Sequence, residues 1–214
     1  MFSPADVPPT QRPPTKVIRL SIVWCAVVSL ASIGLLKYDQ TAGQQSAALA
    51  TWPSEYARDA HRATLLLFAH PKCPCTRATM GELEVLMHEY GQSLSATVIF
   101  IKPSGSVDEW AKTELWHRAA AIPGVTVRED AGNAIASRFG ALTSGDAMLY
   151  SPSGELLFRG GITAGRGHAG GNEGRSAIAS FLDGRAPRTA STKVYGCPLT
   201  SSLAAVEPMK DCPR

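Results

Sequence analysis

The sequence predicts an α/β domain, a central mixed sheet with helices on both faces, preceded by one transmembrane helix. Three observations carry that expectation. An uncharged apolar run lies near the N-terminus. Apolar β-branched segments then alternate with segments of helical periodicity. Finally, two apolar segments flank Ser151-Pro152-Ser153-Gly154, which reads as a hairpin turn. The 214 residues, 44% hydrophobic and 18% charged, suffice for one globular core with an appendage. The formal net charge of +3 comes without a run of Lys or Arg, so no basic stripe for nucleic acid exists.

Residues 1–16 are rich in proline (Pro4, Pro8, Pro9, Pro13, Pro14) and predict a disordered tail. Residues 17–37 predict the membrane span. From Leu20 to Leu36 no charge occurs, and at about 1.5 Å per residue the run covers roughly 25 Å, with Arg19 and Lys37 snorkelling at its ends. Arg12, Lys16 and Arg19 precede the run, while Lys37 follows beside Asp39. The positive-inside rule therefore puts the N-terminus in the cytoplasm and the remainder in a periplasmic or other extracytoplasmic compartment, where disulfides persist. The rival is a cleaved signal peptide ending at Ala48-Leu49-Ala50, which also exports the domain. Cys25 reads as a small apolar side chain facing lipid or another helix.

Residues 38–60 are polar and Ala/Gln-rich, a spacer with some helix, and residues 61–184 form the domain. Ala63 to Ala69 reads as a buried strand. Thr76 to Tyr90 carries Met80, Leu83, Leu86 and Met87 at helical spacing and stops at Gly91. Ser95 to Ile101 is a second buried strand, Val107 to Ala121 a second helix, Val125 to Val127 a short strand and Ala131 to Phe139 a short helix. Ala147–Tyr150 and Leu156–Phe158 pair as the hairpin, and a last helix covers Gly174 to Leu182. Residues 185–214 form a C-terminal tail.

This order is similar to the thioredoxin superfamily. The segments 125–130, 135–140 and 148–156 look like the second half of membrane-anchored, exported redoxins. More narrowly, four blocks together resemble the RedB-like proteins, thioredoxin-fold membrane proteins. They are His70-Pro71-Lys72-Cys73-Pro74-Cys75-Thr76-Arg77, Leu142-Thr143-Ser144-Gly145, Gly160 to His168, and Val194-Tyr195-Gly196-Cys197-Pro198-Leu199. The resemblance implies a thioredoxin-like fold and a thiol motif; the reaction has to be argued from the site.

Cys73 and Cys75 fall where the first strand enters a helix. A helix N-terminus favours thiolate over thiol, and Lys72, Arg77 and a protonated His70 add positive charge. The expected chemistry is thiol–disulfide exchange with a protein thiol or disulfide substrate and a redox partner. Cys73 or Cys75 is the nucleophile, Arg77 and Lys72 favour the thiolate, and Cys197 is a candidate resolving thiol. A Cys197–Cys212 disulfide pinning the tail is the other reading of Cys197.

The motif departs from the thioredoxin pattern, which has two residues between its cysteines and a Trp before them. The tighter Cys-Pro-Cys ring is easier to reduce, which suits an oxidant or isomerase better than a strong reductant. Thr143-Ser144-Gly145 stands where the resemblance implies a proline that shapes substrate docking and keeps metal away. Its absence admits peroxidase-like chemistry or metal binding. In the metal reading, copper is held by Cys73, Cys75 and His168, in a copper chaperone or assembly factor; otherwise no cofactor is expected. Gly165-Arg166-Gly167-His168-Ala169-Gly170 spells a dinucleotide fingerprint but follows an edge hairpin, so it reads as a loop capping the last helix near the cysteines.

Overall fold

The computed structural model describes residues 15–199. The proline-rich tail and Cys212 lie outside the described residues. The chain divides into two compact units between Asp39 and Gln40. Helix α1 (Thr15–Gln40) lies in the first but for its last residue; it encloses the expected span, has no buried residue and is long and apolar enough to cross a membrane.

The second unit contains β1 (Ala63–Ala69), α2 (Thr76–Tyr90), β2 (Leu94–Lys102), a 3-10 turn (Asp108–Ala111), α3 (Glu114–Ala120) and β3 (Val125–Ala131). It continues with α4 (Ala134–Phe139), β4 (Asp146–Tyr150), β5 (Leu156–Gly160) and α5 (Glu173–Leu182). The strands form one sheet in the order β3-β2-β1-β4-β5. β1, β2 and β3 are parallel, and β4 runs antiparallel to both β1 and β5. Strand-helix units closed by an antiparallel hairpin and a final helix make the fold thioredoxin-like, as expected.

Every residue of β1 is buried, as a central strand covered on both faces must be. Its alternating side chains feed two cores. Leu65 and Leu67 pack with Met80, Leu83 and Leu86 of α2 and with Ile178 of α5. Leu66 and Phe68 pack on the other face with Ile135 and Phe139 of α4 and with Met148 and Tyr150 of β4.

Three expectations are corrected. The helix foreseen over 107–121 is broken at Lys112 and Thr113. There the Thr113 hydroxyl donates to the Pro71 carbonyl at 2.8 Å and its N–H to the Ala111 carbonyl at 2.9 Å. A threonine bonding the backbone in this way competes with continued helix. The helix foreseen from Ala131 starts at Ala134, because β3 runs on to Ala131. The buried Asp130 carboxylate then accepts the Ile135 and Ala136 N–H groups at 2.8 Å each.

The third correction concerns the spacer. Of residues 38–60, read as a spacer with some helix, 38–40 are the last residues of α1, and 41–60 contain no helix and lie along the domain. The Leu156 N–H donates to the Ala50 carbonyl at 2.9 Å and the Tyr150 hydroxyl to the Leu49 carbonyl at 3.0 Å. Trp52 meets Phe139 and Tyr150 edge-on at centroid distances of 5.5 and 5.2 Å. Polar composition suggested a linker, but backbone pairing and one indole anchor this stretch.

Candidate functional site: three thiols at the start of α2

The site lies at the carboxyl end of β1, where the parallel strands turn into helices. His70 to Cys75 make the connection, and Pro74 fixes one backbone angle between the cysteines. The Thr76, Arg77 and Ala78 N–H groups donate to the Cys73, Pro74 and Cys75 carbonyls at 3.1–3.2 Å. The helical winding therefore begins within the motif. This places Cys73 inside the domain, 0% exposed, and leaves Cys75 half-buried.

Cys197 is brought to the same point by the tail. Segment 194–199 crosses the loop before β4: the Ser144 N–H donates to the Cys197 carbonyl at 2.8 Å and the Leu199 N–H to the Leu142 carbonyl at 2.9 Å. Cys73, Cys75 and Cys197 are thiols rather than disulfides. Sequence reasoning offered Cys197 a place at the motif or a bond to Cys212. Its side chain and its backbone N–H both hydrogen-bond Cys73.

The electrostatics assign unlike states to the two motif cysteines. Cys73 is held far below the ordinary thiol range. The largest cause is the hydrogen bond from the Cys197 side chain, followed by that from Cys75, with Thr76 and the Cys197 N–H adding to them against the cost of burial. Cys75 is pushed up, first because its proton serves Cys73, then by burial and by the Cys73 charge; Arg166 acts in the opposite direction. The two cysteines titrate as one coupled pair, in which these hydrogen bonds favour negative charge on Cys73 over Cys75.

The Thr76 hydroxyl has one proton, and it is directed at Cys73. The 2.8 Å contact between Thr76 Oγ1 and Ser144 Oγ must then have Ser144 as donor, while Ser144 Oγ accepts the His70 N–H at 2.8 Å. A chain of donors running from the His70 backbone through Ser144 and Thr76 ends on the thiolate. Ser144 stands where the resemblance implied a proline, and its hydroxyl gives the position a polar role that a proline could not supply.

The cations foreseen around the thiols are placed otherwise. Arg77 is ion-paired with Glu114 at 3.0 Å, both exposed, and Lys72 sits over the Trp110 ring at 5.0 Å. His70 is buried, which lowers its pKa and keeps it neutral at pH 7. Its Nδ1 accepts the Lys72 N–H at 3.1 Å, so it adds no positive charge. The cation acting on Cys75 is Arg166, whose Nη1 also donates to the Gly196 carbonyl at 2.8 Å. Sequence reasoning missed it because the Gly-rich stretch was read whole, as a capping loop. The arginine between two glycines was the available signal.

His168 is exposed, and its N–H donates to the Gly165 carbonyl at 3.3 Å. Among the described residues no group of three or more His, Cys, Asp or Glu side chains is disposed to hold a metal ion. Cys73, Cys75 and His168 are thus not gathered into such a group. The loop is instead fixed through Glu82, which is buried on α2. Its carboxylate accepts the Gly170 N–H at 2.5 Å and Asn172 Nδ2 at 3.1 Å, and pairs with Arg175 at 2.8 Å.

A thioredoxin-like fold with three cysteines gathered at the start of its α2 defines the class. Among solved structures the chain is similar to a hypothetical protein from Sinorhizobium meliloti 1021, at 21% identity and TM-score 0.56, over 76% of this chain and 96% of that one. An uncharacterized conserved protein from Geobacillus kaustophilus matches at 18% identity and TM-score 0.56, over 77% of this chain and 94% of that one. The pneumococcal exposed lipoprotein thioredoxin of Streptococcus pneumoniae strain TIGR4 matches at 15% identity and TM-score 0.43, over 58% and 85%. No protein-family model and no curated protein matches the sequence.

Proposed function

We propose that the chain is a thiol–disulfide oxidoreductase of the RedB-like kind, anchored by α1 with its N-terminus in the cytoplasm and its domain outside. The carrying observation is the convergence of Cys197, Cys75 and Thr76 on buried Cys73 at the start of α2, hydrogen bonds that hold its pKa well below the ordinary thiol range. Exchange requires an ionised sulfur, and these donors supply one at neutral pH in a site otherwise too buried for charge.

In the reading we favour, the Cys73 thiolate attacks a sulfur of a substrate disulfide, forming a mixed disulfide and expelling the other substrate thiolate. Its charge then gone, Cys75 no longer meets a neighbouring anion. Arg166 favours ionisation of Cys75, which attacks Cys73 Sγ and releases the second substrate thiolate. Cys197 beside the same sulfur is the alternative resolving thiol. Two electrons pass from the protein dithiol to the substrate, and the reverse sequence oxidises a substrate dithiol.

The test is disulfide reshuffling of scrambled ribonuclease by the full chain in detergent micelles. Activity abolished by Cys73→Ser and retained by Arg77→Gln supports this assignment. Wild-type chain no faster than the Cys73→Ser variant rejects it. The copper reading predicts instead that Cu(I) is retained against a chelator and that Cys73→Ser releases it.

A further inference from the structure

Cys73 is 0% exposed, yet exchange with a protein disulfide needs its sulfur to meet another chain. Against that sulfur lies the chain's own segment 194–199, in which Cys197 hydrogen-bonds Cys73 and Val194, Gly196 and Leu199 are buried. The segment is held by one isolated antiparallel bridge between Thr143 and Pro198, flanked by bonds from the Ser144 N–H to the Cys197 carbonyl and from the Leu199 N–H to the Leu142 carbonyl at 2.8 and 2.9 Å. Arg166 takes the Gly196 carbonyl at 2.8 Å. Apart from the buried Val194 and Leu199 at its ends, these grips are main-chain bonds, one guanidinium and one thiol.

One position is selective. A Cβ on Gly196 would run into the Ser144 carbonyl oxygen, so the residue before the docked cysteine has to be glycine. The backbone oxygen it would meet belongs to the loop that holds the thiolate network and has little room to give.

We propose that segment 194–199 is a displaceable stand-in for the partner, an extended polypeptide segment whose cysteine follows a glycine and docks antiparallel on Leu142 to Ser144. The inference rests on the exchange reading above and adds to it what the partner looks like and what keeps it out. The tethered tail acts at an effective concentration on the order of millimolar, so free peptide gains the site when the tail is unseated.

The experiment uses the full chain in micelles and the peptide acetyl-Val-Tyr-Gly-Cys-Pro-Leu-amide, supplied as its mixed disulfide with 2-nitro-5-thiobenzoate. The Cys73 thiolate attacks the peptide sulfur, a Cys73–peptide disulfide forms, and nitrothiobenzoate leaves with the electron pair. Mass spectrometry follows the peptide on Cys73. Gly196→Val evicts the segment from within; Leu199→Glu, at the buried far end, unseats it independently should the first variant misfold. Unseating also takes the Cys197 donor away from Cys73, so rates are compared per thiolate, with the ionisation of Cys73 in each chain read by ultraviolet absorbance at the same pH. On that basis labelling of Cys73 should rise at least about tenfold in either variant, and the Gly-Cys peptide should outpace a Val-Cys version by about tenfold in the unseated chain.

Equal labelling of wild-type and unseated chains, or equal rates for the two peptides, overturns the docking inference. The exchange reading survives that result if the small disulfide of nitrothiobenzoate with itself still modifies Cys73 in the unseated chain. If that reagent also leaves Cys73 untouched, both fall.

Discussion

At the scale of single residues, the site separates two cysteines that differ little in sequence. Removing the Thr76 donor tests the cause. Thr76→Val should raise the Cys73 pKa and slow exchange about tenfold, while Thr76→Ser keeps both, read by ultraviolet thiolate absorbance against pH. Cys73→Ser should lower the Cys75 pKa, because the first cause of its elevation is Cys73; faster alkylation of Cys75 at neutral pH would show it. His70 gives a pH signature. Its folded pKa lies below the ordinary 6.5, so the unfolded chain binds more protons, and stability falls as pH drops through 6.5. His70→Asn, which keeps an acceptor for the Lys72 N–H, should flatten that part of the urea-midpoint profile; an unchanged profile would contradict it. What the sequence disclosed here was the pair Cys73 and Cys75 at a helix start, since strand and helix periods switch across them. Thr76, Ser144 and Arg166 were hidden, because Ser144 lies 68 positions from Thr76 and no local pattern announces which hydroxyl will face a sulfur.

At the scale of elements, helix starts and connecting segments depend on single polar groups. Asp130→Ala removes the acceptor of two α4 N–H groups and should cost about 1–2 kcal/mol in urea unfolding. A larger dependence lies in Arg159 of β5. Its guanidinium pairs with buried Asp146 of β4 at 2.8 Å and donates to the Ser46 and Gly140 carbonyls at 2.7 and 2.6 Å. Arg159→Met would strand a buried carboxylate and should cost roughly 3–5 kcal/mol, whereas replacing both partners by apolar residues should cost less. The strand and helix order was legible because apolar periodicity is local. The course of residues 41–60 and 185–199 was not, because their anchoring consists of bonds between their backbone and residues distant in sequence, such as the Tyr150 hydroxyl to the Leu49 carbonyl and the Ser144 N–H to the Cys197 carbonyl. Composition alone made both stretches look like linkers.

At the scale of the whole molecule, an apolar helix and a thiol domain share one chain, and the domain shields its own nucleophile with its own tail. On the docking inference, the seating of segment 194–199 beside the buried Cys73 selects for partners able to take the segment's place. Anchoring by α1 predicts that the full chain partitions with membranes and resists carbonate extraction. Recovery in the soluble fraction would contradict the anchor. The central claim is reversible exchange at Cys73, and the most direct measurement is thiol trapping with mass spectrometry on the full chain, equilibrated in graded glutathione buffers without added metal. The account predicts that Cys73 converts reversibly between thiol and disulfide, paired with Cys75 or Cys197, within that range. A Cys73 that stays reduced at every potential would contradict it.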